Sequence, residues 1–366
     1  MYQIKSVTLT PVILTLKQSF KTAHTETKRR PLTIVQVTLF DHVTQQDVIG
    51  YGEIQSFDDF TYAPENQIMS LSIVQNILLP QLQDYQFKSP EEFAGRLNTL
   101  TAYGSFAKSG LEMAIWDAVG HLKKKSLQRL IGGTGTKVPV SVAIGLSDDF
   151  KAMMQAQYQR HKLKIDGATN DWQKLIDLLL DYPNQHFSID ANCSFRDEDF
   201  SFLAALPDNV DFIEQPYSAN DFVKHAQLQA RIQQHLSLDE SVNNIDDIAT
   251  MLDLHAADAL TVKQGKIGGI SNAITAIKMV DKPWIGGMLT SGLGRSVDLA
   301  LASLPNIAFP SDISDSSRYF ERDIIKEKLV VDRGYITVPT GFGIGVTMDF
   351  DAIADMQSAN TINVQY

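Results

Sequence analysis

The sequence has few of the features that mark secreted, membrane and nucleic-acid-binding proteins. Cys193 is the only cysteine among 366 residues, so no intrachain disulfide can form. No apolar run approaches the roughly 18 residues of a transmembrane helix, and the N-terminus lacks the long apolar core of a signal peptide. The formal charge is −11 without a basic stripe, which argues against binding nucleic acid or anionic lipid through a general electrostatic field. We therefore expect a cytoplasmic protein that binds neither nucleic acid nor membranes.

The first third of the chain has the pattern of a small α+β domain. Hydrophobic residues make up 44% of the sequence and charged residues 20%, a globular balance, and the length predicts two domains or one large barrel with additions. Residues 2–16, 31–40 and 48–54 are rich in Val, Ile, Leu and Thr, which predicts three antiparallel strands. The polar stretch QSFKTAHTETKRRP between the first two is interpreted as a mobile loop. Helical periodicity follows near 64–83, 90–101 and 105–124.

From residue 138 onward, short apolar runs alternate with helical segments. The runs are spaced 23 to 26 residues apart, the length of one βα unit, and begin near Val138, Lys162, Phe187, Val210, Leu236, Ala259, Pro283 and Ile307. Eight strands with seven intervening helices predict a parallel sheet closed into a barrel. An open doubly wound sheet is disfavoured because it normally has fewer strands and a glycine-rich first turn. The predicted fold is α/β, a (β/α)₇β TIM-like barrel with an α+β capping domain.

Three segments are predicted along the chain. Residues 1–130 form the capping domain, residues 131–314 the barrel, and residues 315–366 a C-terminal segment that returns to the capping domain. The stretch KLVVDRGYITVP in this last segment is interpreted as a hairpin with its turn at Asp-Arg-Gly.

Charged and polar side chains stand at the ends of the predicted strands, where barrels of this type carry their chemistry. They are Lys162, Lys164, Asp190, Asn192, Glu214, Asp239, Glu240 and Lys263, in KLKID, SIDAN, FIEQP, SLDES and LTVK. Taken singly, such an Asp more often caps a helix and such a Lys more often reaches solvent. As a set, Asp190, Glu214 and Asp239 follow consecutive strands at spacings of 24 and 25 residues and must project toward one point.

This set of side chains predicts a metal-assisted reaction. Three oxygen ligands suit Mg²⁺, with Mn²⁺ as a substitute, whereas zinc would prefer His or Cys, which these strand ends lack. Lys164 precedes the carboxylates around the barrel and Lys263 follows them, so two amines flank the metal. A partly desolvated lysine beside a divalent cation is suited to act as a base. The metal would stabilise the enediolate formed when the proton α to a carboxylate is removed.

These motifs resemble the enolase superfamily, and within it the muconate-lactonizing subgroup. Lysine bases with Mg²⁺ stabilising an enediolate are a general pattern of that superfamily. The resemblance covers essentially the full length of the chain. More narrowly, GGMLTSGLGRSVDLALA and FPSDISDSSRYF are similar to o-succinylbenzoate synthases of the Gram-positive type, a group whose relatives include N-acylamino acid racemases. The resemblance implies dehydration of 2-succinyl-6-hydroxy-2,4-cyclohexadiene-1-carboxylate to o-succinylbenzoate, a step of menaquinone biosynthesis.

The resemblance also implies a role for each site residue. Lys164 would remove the α-proton, Lys263 on the other face would stay cationic and stabilise the intermediate, and Lys162 would help neutralise the substrate carboxylate. Mg²⁺ would be held by Asp190, Glu214 and Asp239. Substrate contacts are expected from Asn192, Ser291, Gly292, Phe20 and Phe57, of which the two phenylalanines belong to segments of the cap that would close over the site.

Two departures from the relatives bear on a second activity. Lys266 stands where an Arg is expected after the sixth strand, and Thr290 stands where relatives often have Glu. They put in doubt racemisation of N-acylamino acids, which is the alternative function, alone or beside dehydration. Dipeptide epimerisation is less favoured, because the Asp-x-Asp expected after the last strands is absent.

A hypothesis that does not involve catalysis is that the protein only binds a dicarboxylate. It is disfavoured because a mere binding protein would not need amines on both faces of its ligand. The expected partner is therefore a small-molecule carboxylate that is turned over as a substrate. The sequence is also compatible with a homo-oligomer.

Overall fold

The computed structural model describes residues 1–21, 26–145, 149–155, 157–167 and 171–366. The strands of this part of the chain are β1 (Tyr2–Lys21), β2 (Glu26–Asp41), β3 (Gln46–Ile54), β4 (Gln86–Phe87), β5 (Lys137–Pro139), β6 (Ser141–Ile144), β7 (Arg160–Lys164), β8 (Phe187–Asp190), β9 (Val210–Glu214), β10 (His235–Leu238), β11 (Ala259–Val262), β12 (Lys282–Ile285), β13 (Val331–Asp332), β14 (Tyr335–Thr337) and β15 (Ile362–Gln365).

The helices of the same part of the chain are α1 (Gln67–Ile73), α2 (Pro90–Leu100), α3 (Ser105–Lys123), α4 (Leu127–Ile131), α5 (Phe150–Gln155), α6 (Trp172–Leu180), α7 (Phe200–Ala204), α8 (Phe222–Gln229), α9 (Ile245–Asp253), α10 (Ile270–Met279), α11 (Gly292–Ala302), α12 (Ser316–Tyr319) and α13 (Phe350–Met356). A π turn (Val74–Leu78) and two 3₁₀ turns (Leu79–Gln81 and Asp197–Asp199) complete them. No helix in the described ranges has the length and apolar character needed to cross a bilayer.

The cap is an antiparallel sheet covered by α3. Its strand order is β15-β1-β2-β3, with β4 paired to the start of β1. Gly50 and Gly52 of β3 allow α3 to lie directly on the sheet, because a Cβ on either would come 2.1 Å from a backbone oxygen of that helix. The predicted three-strand meander is confirmed.

The first two cap strands extend further than expected. β1 and β2 continue beyond the predicted limits and pair as far as Phe20 with Thr27 and Lys21 with Glu26. The interpretation of this whole stretch as a loop is therefore wrong, although residues 22–25 lie outside the described part of the chain. Cross-strand pairing continues through polar residues, and the ring of Phe20 packs edge-on against Tyr319 with 5.9 Å between centroids.

The barrel consists of parallel strands in the order β12-β11-β10-β9-β8-β7-β6. The eighth predicted strand, near Ile307, is not a regular strand in the described structure. Residues 308–312 nevertheless close the ring, because the amides of Ala308 and Asp312 donate to β12 carbonyls and Ser311 exchanges backbone hydrogen bonds with residues 139 and 141. The predicted fold class is confirmed, with its last strand reduced to these bonds.

The C-terminal segment contacts both halves of the molecule. Its hairpin, β13 and β14, pairs with β5 just before the barrel begins, and the left-handed backbone of Arg333 and Gly334 forms the predicted turn. The chain then passes through α13 and ends as β15, which is antiparallel to β1 of the cap. The hairpin thus lies at the start of the barrel, and the last strand is the part that joins the cap sheet.

Candidate active site

The strand ends bring the predicted site residues into lateral register. Lys164 is paired with Asp190 across β7 and β8, and Asp190 with Glu214 across β8 and β9. Asp239 and Lys263 directly follow β10 and β11, the next strands around the barrel. These side chains are 0 to 8% exposed, so the site is a buried cluster of carboxylates and amines.

Lys162 lies at the centre of three carboxylates. Its Nζ is 2.8 Å from Asp312 Oδ2, 3.1 Å from Glu214 Oε2 and 3.2 Å from Asp190 Oδ2. Lys164, two residues further along β7, donates to Asp190 Oδ2 at 2.5 Å and to Asn192 Oδ1 at 3.0 Å. Asp190 therefore accepts both amines of the Lys-x-Lys motif.

A second group forms around Asp239. Lys263 Nζ is 2.7 Å from Asp239 Oδ2, and Lys266 Nζ is 2.8 Å from Asp239 Oδ1 and also donates to its backbone carbonyl. The hydroxyl of Tyr62, from the cap, donates to Asp239 Oδ1 at 2.8 Å and accepts from Lys263 Nζ at 2.7 Å. The cap thus contacts a predicted catalytic lysine directly.

The charges of these groups determine their protonation. Burial opposes ionisation of Asp190, but Lys164 and Lys162 outweigh it and lower its pKa to about 2. In the same way, Lys263 and Lys266 hold the pKa of Asp239 well below its usual value against the effect of burial. Burial, reinforced by the negative charge of Asp190, raises the pKa of Glu214 to about 8. Burial and the neighbouring Asp190 thus disfavour the ionised form of Glu214, and a positive charge added beside it would favour that form.

The loops after the strands hold the site by side-chain hydrogen bonds and strained backbone. Asn192, Gln215 and Leu289 have φ values of 43°, 40° and 52°, a left-handed conformation that is uncommon for such residues and concentrates at functional sites. The amide of Asn192 connects Lys164 to Glu240, because its Nδ2 donates to Glu240 Oε1 at 2.9 Å. Gln215 Oε1 accepts from the backbone amide of Asp239 at 2.9 Å.

A cavity of about 350 Å³ lies between the cap and these strand ends. It is lined among others by Phe20, Phe57, Lys164, Asn192, Glu240 and Lys263. A smaller chamber of about 60 Å³ lies next to it and is lined by residues that include Lys162, Thr290, Asp298 and Asp312. A larger cavity of about 730 Å³ lies elsewhere, between α3 and the start of α9, and is lined by neither Lys164 nor Lys263. Five of the eleven predicted site residues therefore line one moderate cavity, namely Phe20, Phe57, Lys164, Asn192 and Lys263.

Ser291 and Gly292 are placed differently from the other predicted substrate contacts. Ser291 caps α11 and its hydroxyl donates to the carboxylate of Glu53 in the cap. The amide of Gly292 donates to Asp323 Oδ1 at 2.8 Å, and a Cβ on this glycine would meet Ile325 at 2.3 Å. Neither residue is among the described residues that line the two cavities beside the lysines. Their contacts join the cap and the C-terminal segment to the barrel.

Asp190, Glu214 and Asp239 are suitable ligands for a divalent cation, although lysine ammonium groups lie between these carboxylates. Within the described ranges, no three Asp, Glu, His or Cys side chains are grouped as metal ligands, because Lys162 lies between Asp190 and Glu214 and two lysines contact Asp239. The donors themselves are oxygen-only, buried and on neighbouring strands, as hard cations prefer. Glu214 Oε2 is buried and lies 3.1 Å from the ammonium of Lys162, so this oxygen already faces a positive charge, as the oxygen of a metal ligand would.

Comparison with known proteins identifies the family. Residues 4–132 match the mandelate racemase / muconate lactonizing enzyme N-terminal domain, and residues 145–352 match the enolase C-terminal domain-like family. The chain belongs to the enolase superfamily. Enzymes of this superfamily generally use a divalent metal. The matches cover both the cap and the barrel, so the resemblance inferred from the strand-end motifs is confirmed.

Relatives within the superfamily cover nearly the whole chain. The o-succinylbenzoate synthase of Listeria innocua is 32% identical over 352 residues, which are 93% of this chain and 92% of that protein. The N-succinylamino acid racemase of Thermus thermophilus is 29% identical over 357 residues, 94% of each protein. A crystal structure of an enolase-superfamily member from Listeria innocua superposes with a TM-score of 0.92 at 30% identity and covers 100% of both chains.

Two residues of the cluster were not predicted from the sequence. Asp312, which contacts Lys162, follows the eighth apolar run and could have been found by applying the strand-end rule to that run. Tyr62 comes from the cap, and no periodicity or spacing in the sequence relates it to Asp239 or Lys263.

Proposed function

We propose that the protein is an o-succinylbenzoate synthase, a hydro-lyase that converts 2-succinyl-6-hydroxy-2,4-cyclohexadiene-1-carboxylate to o-succinylbenzoate and water. The observation that carries the proposal is the placement of Lys164 and Lys263 on one cavity, with the strand-end carboxylates of β8, β9 and β10 between them. Relatives named o-succinylbenzoate synthase, each about 32% identical over at least 93% of the chain, support the choice of substrate.

The proposed reaction balances with the residues of this site. Lys164, as the free amine, takes the proton from the carbon that bears the carboxylate, and the electrons of that C–H bond form an enediolate. Those electrons then expel hydroxide from the neighbouring carbon, which completes the aromatic ring. Hydroxide takes a proton from the same Lys164 ammonium and leaves as water, so removal and departure occur on one face of the ring.

The other residues bind and neutralise charge. Lys263 is held by Asp239 and Tyr62 and would remain cationic on the opposite face, where it stabilises the intermediate. Lys162 would help neutralise the substrate carboxylate. Asp190, Glu214 and Asp239 would hold Mg²⁺ or Mn²⁺, and a bound divalent cation supplies positive charge to the carboxylate as its α-proton leaves.

The aromatic wall of the cavity would bind the apolar ring of the substrate. Phe20 and Phe57 line the cavity together with Asn192, all three of which were predicted to contact substrate. The product would belong to menaquinone biosynthesis, and the reaction would take place in the cytoplasm.

We also propose the three segments expected from the sequence: a capping domain up to residue 130, the barrel up to residue 314, and a C-terminal segment after it.

Racemisation of N-succinylamino acids is the second candidate function. It is favoured by the presence of both lysines on one cavity, since proton removal on one face and return on the other would need two amines, and by the relative from Thermus thermophilus. Lys266 and Thr290 depart from the pattern expected for that activity. Lys266 contacts Asp239, the same carboxylate that holds Lys263, so this departure lies beside the second base.

One preparation assayed for both reactions tests the proposal. With Mg²⁺ present, we expect formation of the aromatic product from the cyclohexadiene substrate. Proton NMR in D₂O with N-succinylamino acids reports α-deuterium exchange in the same sample. Dehydration without exchange would assign synthase activity alone, and exchange without dehydration would contradict the primary proposal in favour of the racemase.

A further inference from the structure

Arg30 is a buried cation that joins three segments around the substrate cavity. It lies in β2 of the cap and is 0% exposed. Its Nε donates to the carbonyl of Leu289 at 3.3 Å, its Nη1 to the carbonyl of Ser56 at 2.8 Å, and its Nη2 to the carbonyl of Gln55. One guanidinium therefore connects the cap strand, the cap loop after β3 and the barrel loop after β12.

Two of the segments that Arg30 contacts form the cavity wall. The guanidinium carbon lies 3.9 Å from the ring centroid of Phe57, within the range of a cation–π contact. Phe57 and Leu289 both line the cavity that contains Lys164 and Lys263. Arg30 itself is not among the described residues that line this cavity, so its influence on a bound molecule passes through these two side chains.

The hydrogen bond from Arg30 to Leu289 holds a residue whose backbone conformation is strained. Its φ of 52° is left-handed, a conformation that disfavours a bulky side chain and persists only where the surroundings hold it. The hydrogen bond from Arg30 fixes its carbonyl, and the next residue is held separately, because Arg295 Nη2 donates to the carbonyl of Thr290 at 3.0 Å. Two buried arginines thus hold consecutive carbonyls of the loop.

We propose that Arg30 is a positioning residue that sets the shape of the substrate cavity by holding Phe57 and Leu289 in place. The inference rests on the proposed function, since it takes this cavity to bind the cyclic carboxylate substrate. The planar fork of an arginine donates in several directions at once, whereas a lysine ammonium on a flexible stem does not match the same set of carbonyls. Arg30 therefore bonds both the loop after β3 and the loop after β12 with one side chain.

The test compares Arg30→Met and Arg30→Lys with Lys108→Met as a matched control. Lys108 is also a buried cation of the cap that donates to a backbone carbonyl, that of Thr101 at 2.6 Å, but it lies away from the catalytic cavity. Two measurements are made on the full-length proteins: steady-state kinetics of dehydration with Mg²⁺, and hydrogen exchange by mass spectrometry of peptides that cover residues 55–57 and 287–291.

For Arg30→Met we expect KM to rise about tenfold and kcat to fall less than about threefold, because the wall is displaced and the lysines are not. Exchange in both peptides should increase, and Arg30→Lys should give a smaller change in the same direction. Lys108→Met should leave KM and both peptides unchanged. If the Met variant does not fold, the Lys variant decides between the outcomes.

A merely structural role for Arg30 would give the opposite pattern. In that case the Arg30 variants would lose thermal stability as Lys108→Met does, while KM and the exchange of the two loops stayed at the wild-type values, and the inference would be overturned. Lack of dehydration by the wild-type protein would count against the proposed function instead. The exchange measurement would still judge the role of Arg30, since it needs no substrate.

Discussion

Glu112 allows a quantitative prediction about the junction between cap and barrel. It lies in α3, fully buried, and its Oε1 accepts from the backbone amide of Ser271 at 2.8 Å, from the hydroxyl of Ser271 and from Trp116 Nε1 at 2.9 Å. The barrel helix α10 starts after Gly269 and has no side-chain cap of its own. A carboxylate of the cap thus caps a helix of the barrel.

The protonation of Glu112 links this junction to pH. Burial raises the pKa of Glu112 from 4.5 to about 7, although the hydrogen bonds from Ser271 and Trp116 act in the opposite direction. Because the folded state binds this proton more tightly than the unfolded state, the contribution of Glu112 to stability is greatest below pH 4.5. It is lost as the pH rises toward 7 and is constant above that. A pKa difference of about 2.5, at 1.36 kcal/mol per pH unit, corresponds to about 3 kcal/mol.

Glu112→Gln removes this titration and keeps an oxygen that can accept from Ser271 and Trp116. We would measure urea unfolding of both proteins between pH 5 and pH 8. The free energy of unfolding of the wild type, relative to the variant, should fall by about 2 to 3 kcal/mol over that range. Glu53, whose pKa burial also raises to about 7, is present in both proteins and cancels in the difference. Parallel pH profiles for the two proteins would refute the reasoning.

Three further predictions concern the metal, Lys162 and Gly269. Chelation of divalent cations should abolish dehydration, and Mg²⁺ or Mn²⁺ should restore it; activity that survives exhaustive chelation would exclude the metal role. Asp312→Asn should lower kcat about 10- to 100-fold with little change in Tm, because the negative charge 2.8 Å from Lys162 is lost while an oxygen that can accept from it remains, and an unchanged kcat would remove Asp312 from the site. Gly269→Ala should destabilise the protein by about 2 to 4 kcal/mol in urea unfolding, since its φ is 126° and a Cβ would lie 1.6 Å from Glu112 Oε2; wild-type stability would contradict that geometry.

The barrel was predictable from the sequence because the βα units and the charged residues at the strand ends recur at the same interval. Each βα unit ends a strand at the same edge, so Asp190, Glu214 and Asp239 at intervals of 24 and 25 residues had to converge. The cap meander followed from three runs that are rich in Val, Ile, Leu and Thr. In both cases the pattern lies within one element and its neighbours along the chain.

Features that depend on contacts between distant segments were harder to predict. The reduction of the last barrel strand to a few backbone bonds was not predicted, although Pro310, which has no amide hydrogen to donate, interrupts the run that begins near Ile307. The continuation of β1 to Lys21 was not predicted, because the residues there are polar and their strand conformation depends on pairing with β2. Ser291 and Gly292 follow β12 and were expected to contact substrate, whereas their hydrogen bonds go to Glu53 of the cap and Asp323 of the C-terminal segment.

The central claim is that Lys164 is the base that removes the α-proton, and the kcat of Lys164→Ala for dehydration tests it most directly. The variant should fold as the wild type does by circular dichroism and retain its Mg²⁺ requirement for any residual activity. We predict a loss in kcat of about 10³- to 10⁴-fold, the contribution typical of a positioned general acid-base group. A Lys164→Ala protein that dehydrates the substrate within about tenfold of the wild-type rate would contradict the account.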